Sequence, residues 1–277
     1  MDWLTEQKIP IGKWAKSFVD LLTEHGDWFF DGLAVGLESF IEAILFLLQW
    51  PHAFIIVALT TLLSFYLRRS AGFSIFVLLG LLLIINQGYW EETTETLALV
   101  LASTFVCMLI GIPVGIYAAR KPWFYSAIRP VLDLMQTIPT FVYLIPALIL
   151  FGLGMVPGLI ATVIFALPAP IRLTQLGIVS TPPELKEAGI AFGGNPWAIL
   201  WKIEIPFALP QIRAGITQTI MLSLSMVVIA ALVGADGLGV PTLRALNQVN
   251  IAKGFEVGVA IVLVAIILDR LIRSSED

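Results

Sequence analysis

The stretch that decides the fold is residues 182–206, which read PPELKEAGIAFGGNPWAILWKIEIP. It lies within residues 176–207, the longest polar interruption of an otherwise apolar chain. Thr181 can cap a helix that starts at the proline pair, and Glu184 stands where a capping box needs it. The glycine pair ends that helix, and the Asn-Pro step can start another. The stretch therefore predicts a short helix, a turn and a second short helix.

The second short helix carries large apolar side chains. Trp197, Leu200 and Trp201 share one face at the spacing of an α-helix. Because the stretch lies outside the apolar segments, lipid cannot cover this face. We expect the face to fit a groove on a soluble partner protein, as amphipathic helices do. An ordinary amphipathic surface loop is the alternative.

The rest of the chain is apolar enough for a membrane protein. Of its 277 residues, 58% are hydrophobic and 13% are charged, about half the charged fraction of a soluble domain. A spanning helix needs about 20 mostly apolar residues. About seven segments qualify, so we expect an all-α polytopic membrane domain over residues 51–277. These segments are 53–67, 72–86, 94–118, 130–151, 155–175, 208–233 and 255–272.

Residues 1–50 have a different pattern. Along residues 20–50, acidic side chains fall in one narrow wedge and large apolar side chains fall opposite. Spanning would place carboxylates at membrane depth, where each is costly unless it is paired. We therefore expect an N-terminal tail and an amphipathic helix in the membrane interface, with spanning as the alternative. The wedge consists of Asp20, Glu24, Asp27, Asp31, Glu38, Glu42 and Gln49.

Basic residues predict which loops face the cytoplasm. Arg68, Arg120 and Lys186 belong to alternate loops, which should lie on the cytoplasmic side. Arg273 places the C-terminus on the same side. With seven spans the N-terminus is then periplasmic, and it would be cytoplasmic if residues 28–49 also spanned.

The opening stretch also resembles a known sequence pattern. Residues 187–189 are Glu-Ala-Gly, where permeases of ATP-binding-cassette importers have Glu-Ala-Ala. Gly193 follows at the family spacing, and residues 203–206 match the family's Ile-x-Leu-Pro with isoleucine for leucine. The resemblance implies a type I importer transmembrane domain whose loop, residues 176–207, docks on a separate ATPase. The residues implied in that contact are Glu187, Ala188, Gly189, Gly193, Asn195, Trp197, Trp201, Ile203 and Pro206.

Three further segments resemble one branch of this family. Residues 136–146, 164–174 and 234–239 look like the permeases for glycine betaine, proline and choline. That branch implies a small zwitterionic or cationic solute, an extracytoplasmic binding protein that delivers it, and a place in the bacterial inner membrane. A permease for methionine or taurine is the alternative within the family. An ion-coupled secondary transporter is the alternative outside it.

The resemblance also implies an assembly. One chain supplies one coupling loop and two ATPase subunits need two, so we expect a homodimer surrounded by lipid. ATP and Mg would be bound by the ATPase, because this chain lacks Gly-x-x-x-x-Gly-Lys-Ser/Thr. It shows no nucleophile–base set, and we expect neither enzymatic activity nor a cofactor or metal site of its own. The net charge of −4 gives no reason to expect a nucleic-acid partner.

A candidate translocation path lies near residues 136–146. Prolines break helical hydrogen bonding there, which is tolerated where the backbone lines a protected cavity. Phe141 and Tyr143 could offer ring faces to a quaternary ammonium, or could contact lipid or neighbouring helices instead. Gln136 and Thr137 could line a route or join helices by hydrogen bonds. The candidate path residues are Gln136, Thr137, Pro139, Phe141 and Tyr143.

Two further groups of polar residues suggest contacts. By the resemblance, the loop over about residues 234–254 should meet the binding protein, although solvation alone would explain its composition equally well. Asp133 lies four residues after Arg129, which predicts an exposed ion pair within one helix. The candidate binding-protein contacts are Asp236, Arg244, Asn247 and Gln248.

Overall fold

The computed structural model describes residues 10–272, and within that range every regular element is a helix. The first nine residues of the predicted N-terminal tail and the predicted cytoplasmic charge Arg273 lie outside the described residues. The helices are α1 (Ile11–Gln49), α2 (Ala53–Arg68), α3 (Ala71–Asn86), α4 (Trp90–Arg120), α5 (Pro122–Thr137), α6 (Thr140–Phe151), α7 (Met155–Ala166), α8 (Pro168–Val179), α9 (Pro183–Ala191), α10 (Pro196–Ile199), α11 (Ile205–Ala230), α12 (Gly239–Asn247) and α13 (Ile251–Ile272). A π-helical turn (Leu200–Glu204) joins α10 to α11, and a 3-10 turn (Ala231–Val233) follows α11.

Several of these helices are long and apolar enough to cross a membrane. Within residues 10–272, four continuous stretches qualify: Trp90–Arg120, Met155–Val179, Pro196–Val233 and Ile251–Ile272. Two bent pairs also qualify when each is taken as a unit, namely α1 with α2 and α5 with α6. The apolar helix α3 is shorter, with 16 residues. The all-helical membrane architecture is therefore as predicted.

The predicted span 130–151 is interrupted, so the expectation of one continuous helix there is wrong. α5 and α6 meet at an angle of 95°. Ile138, between them, is extended (φ −66°, ψ 132°), because a residue before proline is disfavoured in the helical region. The predicted span 53–67 likewise stands at 92° to α1. The chain thus turns sharply at two places, and only the turn within 130–151 was not expected from hydropathy.

The centre of the molecule is α8, held between α4 and α11. A Cβ atom added at Gly111 of α4 would lie 2.7 Å from Pro170 Cγ, and one at Gly115 would lie 2.6 Å from Thr174 Cβ. On the α11 side, a Cβ added at Gly177 would lie 2.9 Å from Ala208 Cβ. Small residues at such contacts let helix backbones approach closely within a membrane. The three helices therefore form a tightly packed unit that runs toward residues 183–206.

The N-terminal helix α1 has 39 residues and is therefore about 58 Å long. Its C-terminal part packs on the bundle: Ile41 is 1% exposed, and the Phe40 and Phe105 ring centroids are 5.2 Å apart. The acidic wedge is exposed from Asp20 to Glu42. The structure has the predicted acidic and apolar sides, and the placement of α1 in the membrane interface stays a prediction.

Candidate functional site

Residues 183–206, which we call the foot, form the predicted helix–turn–helix at one end of the α4–α8–α11 unit. α9 ends before Gly193, whose φ of +78° is a conformation that favours glycine. The Gly194 N–H donates to the Gly189 carbonyl over 2.9 Å, which closes the turn. The Asn195 side chain then caps the second helix, accepting from the Ala198 N–H at 2.7 Å. The Gly-Gly and Asn-Pro signals were therefore interpreted correctly.

The predicted cap at the start of the foot is wrong. The Thr181 hydroxyl is buried and has no hydrogen-bond partner within the described residues, so it forms no capping box with Glu184. α9 begins at Pro183 with Pro182 before it, and no side chain caps it. Pro182 is the N-cap residue and Pro183 the first helical residue, so both lack an N–H that would need an acceptor, and Thr181 lies one residue before the N-cap position. The helix therefore starts without the hydroxyl.

A close contact between the two helices of the foot involves Gly189. A Cβ atom added there would lie 2.5 Å from Ile203 Cδ1, and one added at Gly194 would lie 2.7 Å from the Gly189 carbonyl oxygen. Glycine at position 189 thus gives Ile203 space to pack across the turn. The residues predicted from the sequence pattern at 189, 193 and 203 are brought together around one compact elbow.

A buried carboxylate ties the foot to the spanning helices. Glu204 is 7% exposed, and its Oε1 lies 3.1 Å from Lys186 Nζ on α9. Its other oxygen, Oε2, lies 3.3 Å from Arg120 Nη2 at the end of α4. The same Arg120 nitrogen donates to the Pro196 carbonyl at 2.9 Å. One carboxylate therefore connects both helices of the foot to α4, and it belongs to the π-helical turn that runs into α11.

Glu204, Lys186 and Arg120 were not predicted as site residues from the sequence. A signal existed, because Glu204 is a charged residue between two isoleucines at the entry to a spanning helix. A buried charge requires a partner, so such a residue predicts nearby cations. The partners themselves lie 18 and 84 positions away (204 − 186 and 204 − 120), and no local pattern connects them.

The outer surface of the foot is aromatic. Trp197 and Trp201 are 64% and 53% exposed, with ring centroids 5.8 Å apart in an edge-to-face arrangement, and Phe192 is 93% exposed. Leu200, predicted on the same face, is 2% exposed and packs with Ile178. Leu200 lies about 100° around the helix from Trp201, so its side chain points toward the bundle and not toward the outer surface. The exposed face thus consists of the two tryptophans and Phe192.

Of the remaining residues predicted at the foot, Glu187, Ala188 and Pro206 are exposed. Pro206 is the second residue of α11 and follows directly on the π-helical turn. Glu187 and Ala188 lie on α9. The structure leaves these side chains accessible on the same foot as the aromatic face.

The candidate path residues surround the bend between α5 and α6. The Tyr143 hydroxyl donates to the Met135 carbonyl at 2.6 Å and lies 3.2 Å from the Ile138 carbonyl, so it caps the end of α5. Phe141 is 56% exposed, and Gln136 is partly exposed. Thr137 and Pro139 are exposed at the bend itself. The structure therefore gives Tyr143 a stabilising contact and leaves the other four accessible.

The candidate binding-protein contacts divide into two groups. Asp236 and Arg244 line a cavity of about 180 Å³ together with Glu91, Glu92 and Glu95 at the start of α4. Asn247 and Gln248 are exposed at the end of α12. The loop is fixed to α4, since the Thr96 hydroxyl accepts a hydrogen bond from the Leu238 N–H at 2.8 Å.

The predicted pairing of Asp133 with Arg129 is wrong. The Asp133 carboxylate lies 2.6 Å from Arg172 Nη2, which joins α5 to α8 instead of bridging one turn of α5. Interhelical packing brings Arg172 to Asp133, and a local four-residue rule cannot detect a contact between residues 39 positions apart.

Residues 111–276 match the family described as the binding-protein-dependent transport system inner membrane component. This is more than half of the chain. The chain belongs to that family.

Relatives from several bacteria agree with this membership. The glycine betaine transport system permease protein OpuAB of Bacillus subtilis (strain 168) is 44% identical over 96% of this chain and 94% of its own length. The glycine betaine/proline betaine transport system permease protein ProW of Escherichia coli (strain K12) is 41% identical over 96% of this chain and 75% of its own. A chain from inward-facing structures of the MetNI methionine ABC transporter aligns with a TM-score of 0.58 at 25% identity, covering 65% of this chain and 92% of that one.

As a member of this family, the chain is a permease subunit of an ATP-binding-cassette importer and a multi-pass protein of the inner membrane. The predicted family and the type I importer fold are confirmed. Membership implies two kinds of partner, a separate ATPase and a solute-binding protein. The relatives are transport permeases, in agreement with a subunit that carries solute.

Proposed function

We propose that this permease carries a small zwitterionic or cationic solute of the glycine betaine, choline or proline type, and that the foot couples its movement to an ATPase. The observation that carries the coupling role is the foot itself. It presents an exposed aromatic face, and one buried carboxylate ties it to α4. The solute class rests on the relatives named as glycine betaine permeases at 41–45% identity over 96% of the chain.

In this proposal the aromatic face enters a groove on the ATPase. Exposed tryptophans that become buried at the centre of an interface contribute strongly to binding. Trp197 and Trp201 would be the anchors, with Glu187, Ala188 and Asn195 beside them. Gly189, Gly193 and Ile203 would keep the two helices at a fixed angle, so that a push on the foot moves it as one body.

Movement of the foot by the ATPase would be transmitted to the spanning helices through Glu204 and α11. Because Glu204 contacts both Lys186 and Arg120, a displaced foot moves the end of α4 with it. The foot also continues into α11 through Pro206 without a loop. Both helices pack on α8, so the tightly packed unit would tilt rather than bend.

The proposed assembly is a homodimer on two ATPase subunits, within membrane lipid. Each copy supplies one foot, and ATP and Mg would bind to the ATPase, which leaves this chain without a cofactor of its own. The path would run between the two copies, lined by Gln136, Thr137, Pro139 and Phe141, with Tyr143 fixing the bend. A binding protein would deliver solute to the opposite end, beside Asp236, Arg244, Asn247 and Gln248.

This assembly sets the proposed orientation. The foot and the C-terminus would be cytoplasmic, and the N-terminus periplasmic. Residues 1–50 would form a tail and an interfacial helix, and residues 51–277 the transport domain with its loop at 176–207. The exposed acidic wedge of α1 supports this division, because water can solvate it along the membrane surface.

Methionine is the second candidate solute. The fold is similar to that of a chain of the MetNI methionine transporter at 25% identity. The relatives named for glycine betaine share more of the sequence and more of its length, so the betaine class is preferred.

The test is co-purification of the tagged chain with its ATPase, followed by ATPase assays with the binding protein. We expect recovery of the ATPase and stimulation by binding protein loaded with glycine betaine or choline. The Gly193→Val variant should still bind the ATPase but hydrolyse ATP without uptake, since a β-branched residue is strained at a φ of +78°. Failure to recover any ATPase would overturn the coupling role, and stimulation only by methionine would overturn the solute class.

A further inference from the structure

One charged contact lies inside the apolar spans. Within Met155–Val179, Arg172 is the sole ionisable residue, and its guanidinium meets the Asp133 carboxylate of α5 at 2.6 Å. Ionisable residues within spans are uncommon, and they usually face the interior of a bundle or a water-filled cavity. An ion pair on the surface of a soluble protein needs no functional explanation. A pair at this position in the spans does.

The depth of this pair follows from its neighbours. Arg172 stands seven residues before Val179, the end of α8, which is about 10 Å along the helix axis. Thr174, two residues on, packs against Gly115 of α4. Arg120, five residues after that glycine, already contacts the foot. The pair thus lies roughly 10 Å inward from the foot, toward the middle of the spans.

The pair is left uncovered by its own chain. The Asp133 and Arg172 side chains are 54% and 33% exposed, whereas Ile171 and Thr174 on other sides of α8 are buried. Gln136 and Gln175, each one turn further along its helix, are partly exposed as well. Lipid would leave this polar row unsolvated, at a high free-energy cost. Water in a path between two copies of this chain would satisfy these groups.

We propose that Arg172 and Asp133 form a zwitterion-binding contact at the foot end of the translocation path, an inference that rests on the proposed function. The solute carboxylate binds Arg172 while its cationic group lies against Asp133, and the ion pair re-forms after the solute has left. A planar guanidinium offers paired donors to a carboxylate, and a carboxylate attracts a quaternary ammonium that has no N–H to donate.

The exchange explains why the pair is useful at this depth. Each charge has an opposite charge beside it before, during and after passage, so neither is left unpaired at this depth. The exposed side of the pair also gives the solute direct access to both groups. A cation without a carboxylate can replace only one half of the contact.

The experiment uses the full complex with its ATPase in proteoliposomes and nanodiscs. Uptake of glycine betaine is measured first, with the binding protein present. Saturation-transfer NMR then detects weak binding of glycine betaine or choline to the complex without binding protein. The variants are Arg172→Gln and Asp133→Asn, with Arg129→Gln as the matched control, since it neutralises an exposed arginine one turn away on α5.

We expect Arg172→Gln to weaken glycine betaine binding about tenfold, the effect of one lost charge-assisted contact, and not to weaken choline binding, because choline no longer competes with Arg172 for Asp133. Asp133→Asn should weaken both solutes, and Arg129→Gln neither. Equal binding of both solutes by wild type and all variants, with wild-type uptake intact, would overturn this contact alone. Absence of glycine betaine uptake by the wild-type complex would overturn the proposed function together with it.

Discussion

The ionic contacts of Glu204 and of Asp133 both join helices, and they differ in burial. Glu204 is enclosed between Arg120 and Lys186, with 9% of its side chain exposed. Asp133 meets Arg172 with 54% of its side chain exposed. A buried carboxylate cannot exchange its partners without a large desolvation cost, so it suits a permanent mechanical link. An exposed pair can open at little cost, so it suits a contact that a solute replaces.

The largest effect should follow from removing the buried carboxylate. Glu204→Ala leaves Lys186 and Arg120 as neighbouring like charges and removes both ion pairs, while the Arg120 bond to the Pro196 carbonyl remains. We expect the unfolding free energy of the purified chain to fall by roughly 2–3 kcal/mol, read as a lower thermal midpoint. Glu184→Ala, an exposed carboxylate in the same foot, is the control and should leave the midpoint unchanged. An equal fall of the thermal midpoint in both variants would show that the buried carboxylate stabilises the foot no more than an exposed one.

The two cations around Glu204 should differ in their contributions. Arg120 bonds both the carboxylate and the Pro196 carbonyl, whereas Lys186 bonds the carboxylate alone. Arg120→Gln should therefore cost about 1–2 kcal/mol and Lys186→Gln less than about 1 kcal/mol. Thermal unfolding of the two variants side by side measures the order. The reverse order would show that the α4 contact is not the stronger one.

A smaller effect is expected at Gly189, where the sequence departs from the family pattern. An alanine Cβ would lie 2.5 Å from Ile203 Cδ1, which is the flexible end of a side chain and can rotate away. Alanine also favours the helix by about 1 kcal/mol over glycine, so Gly189→Ala should be nearly neutral in stability. Uptake at more than about half of the wild-type rate is expected. Loss of ATPase recovery in this variant would mean that Ile203, beside Glu204, cannot move.

The smallest change in stability is expected at the exposed pair. Asp133→Asn should shift the unfolding free energy by no more than about 0.5 kcal/mol, because an exposed ion pair contributes little. The thermal midpoint measured beside that of Glu204→Ala gives the direct contrast. A fall of the thermal midpoint as large as that of Glu204→Ala would show that the Asp133 contact is needed for stability.

The sequence predicted the elements of the foot because their signals are local. Gly193 needs a positive φ, and Asn195 caps the very next helix, so each works within a few residues. The cap predicted at Thr181 was wrong because the helix begins one residue later than expected, with Pro182 at the N-cap. Leu200 was misplaced because one helix face can straddle the border between exposed and buried sides.

The ionic contacts could not be predicted in the same way. Their partners lie far apart in sequence, and only the close approach of α4, α8 and α11 brings them together. The bend between α5 and α6 has a local cause, the proline at 139, but hydropathy over 130–151 hides it. The ion pairs between distant residues and the bend between α5 and α6 are therefore known only from the structure.

The most direct test of the coupling role of Glu204 is the number of solute molecules imported per ATP hydrolysed in the Glu204→Gln complex. This variant keeps the shape of the side chain and removes the charge that joins the foot to α4. We predict that the ATPase is still recovered and that the ratio falls at least about fivefold, the lower end of typical coupling energies. An unchanged ratio with the ATPase bound would contradict it, because the motion would then reach the membrane without this carboxylate.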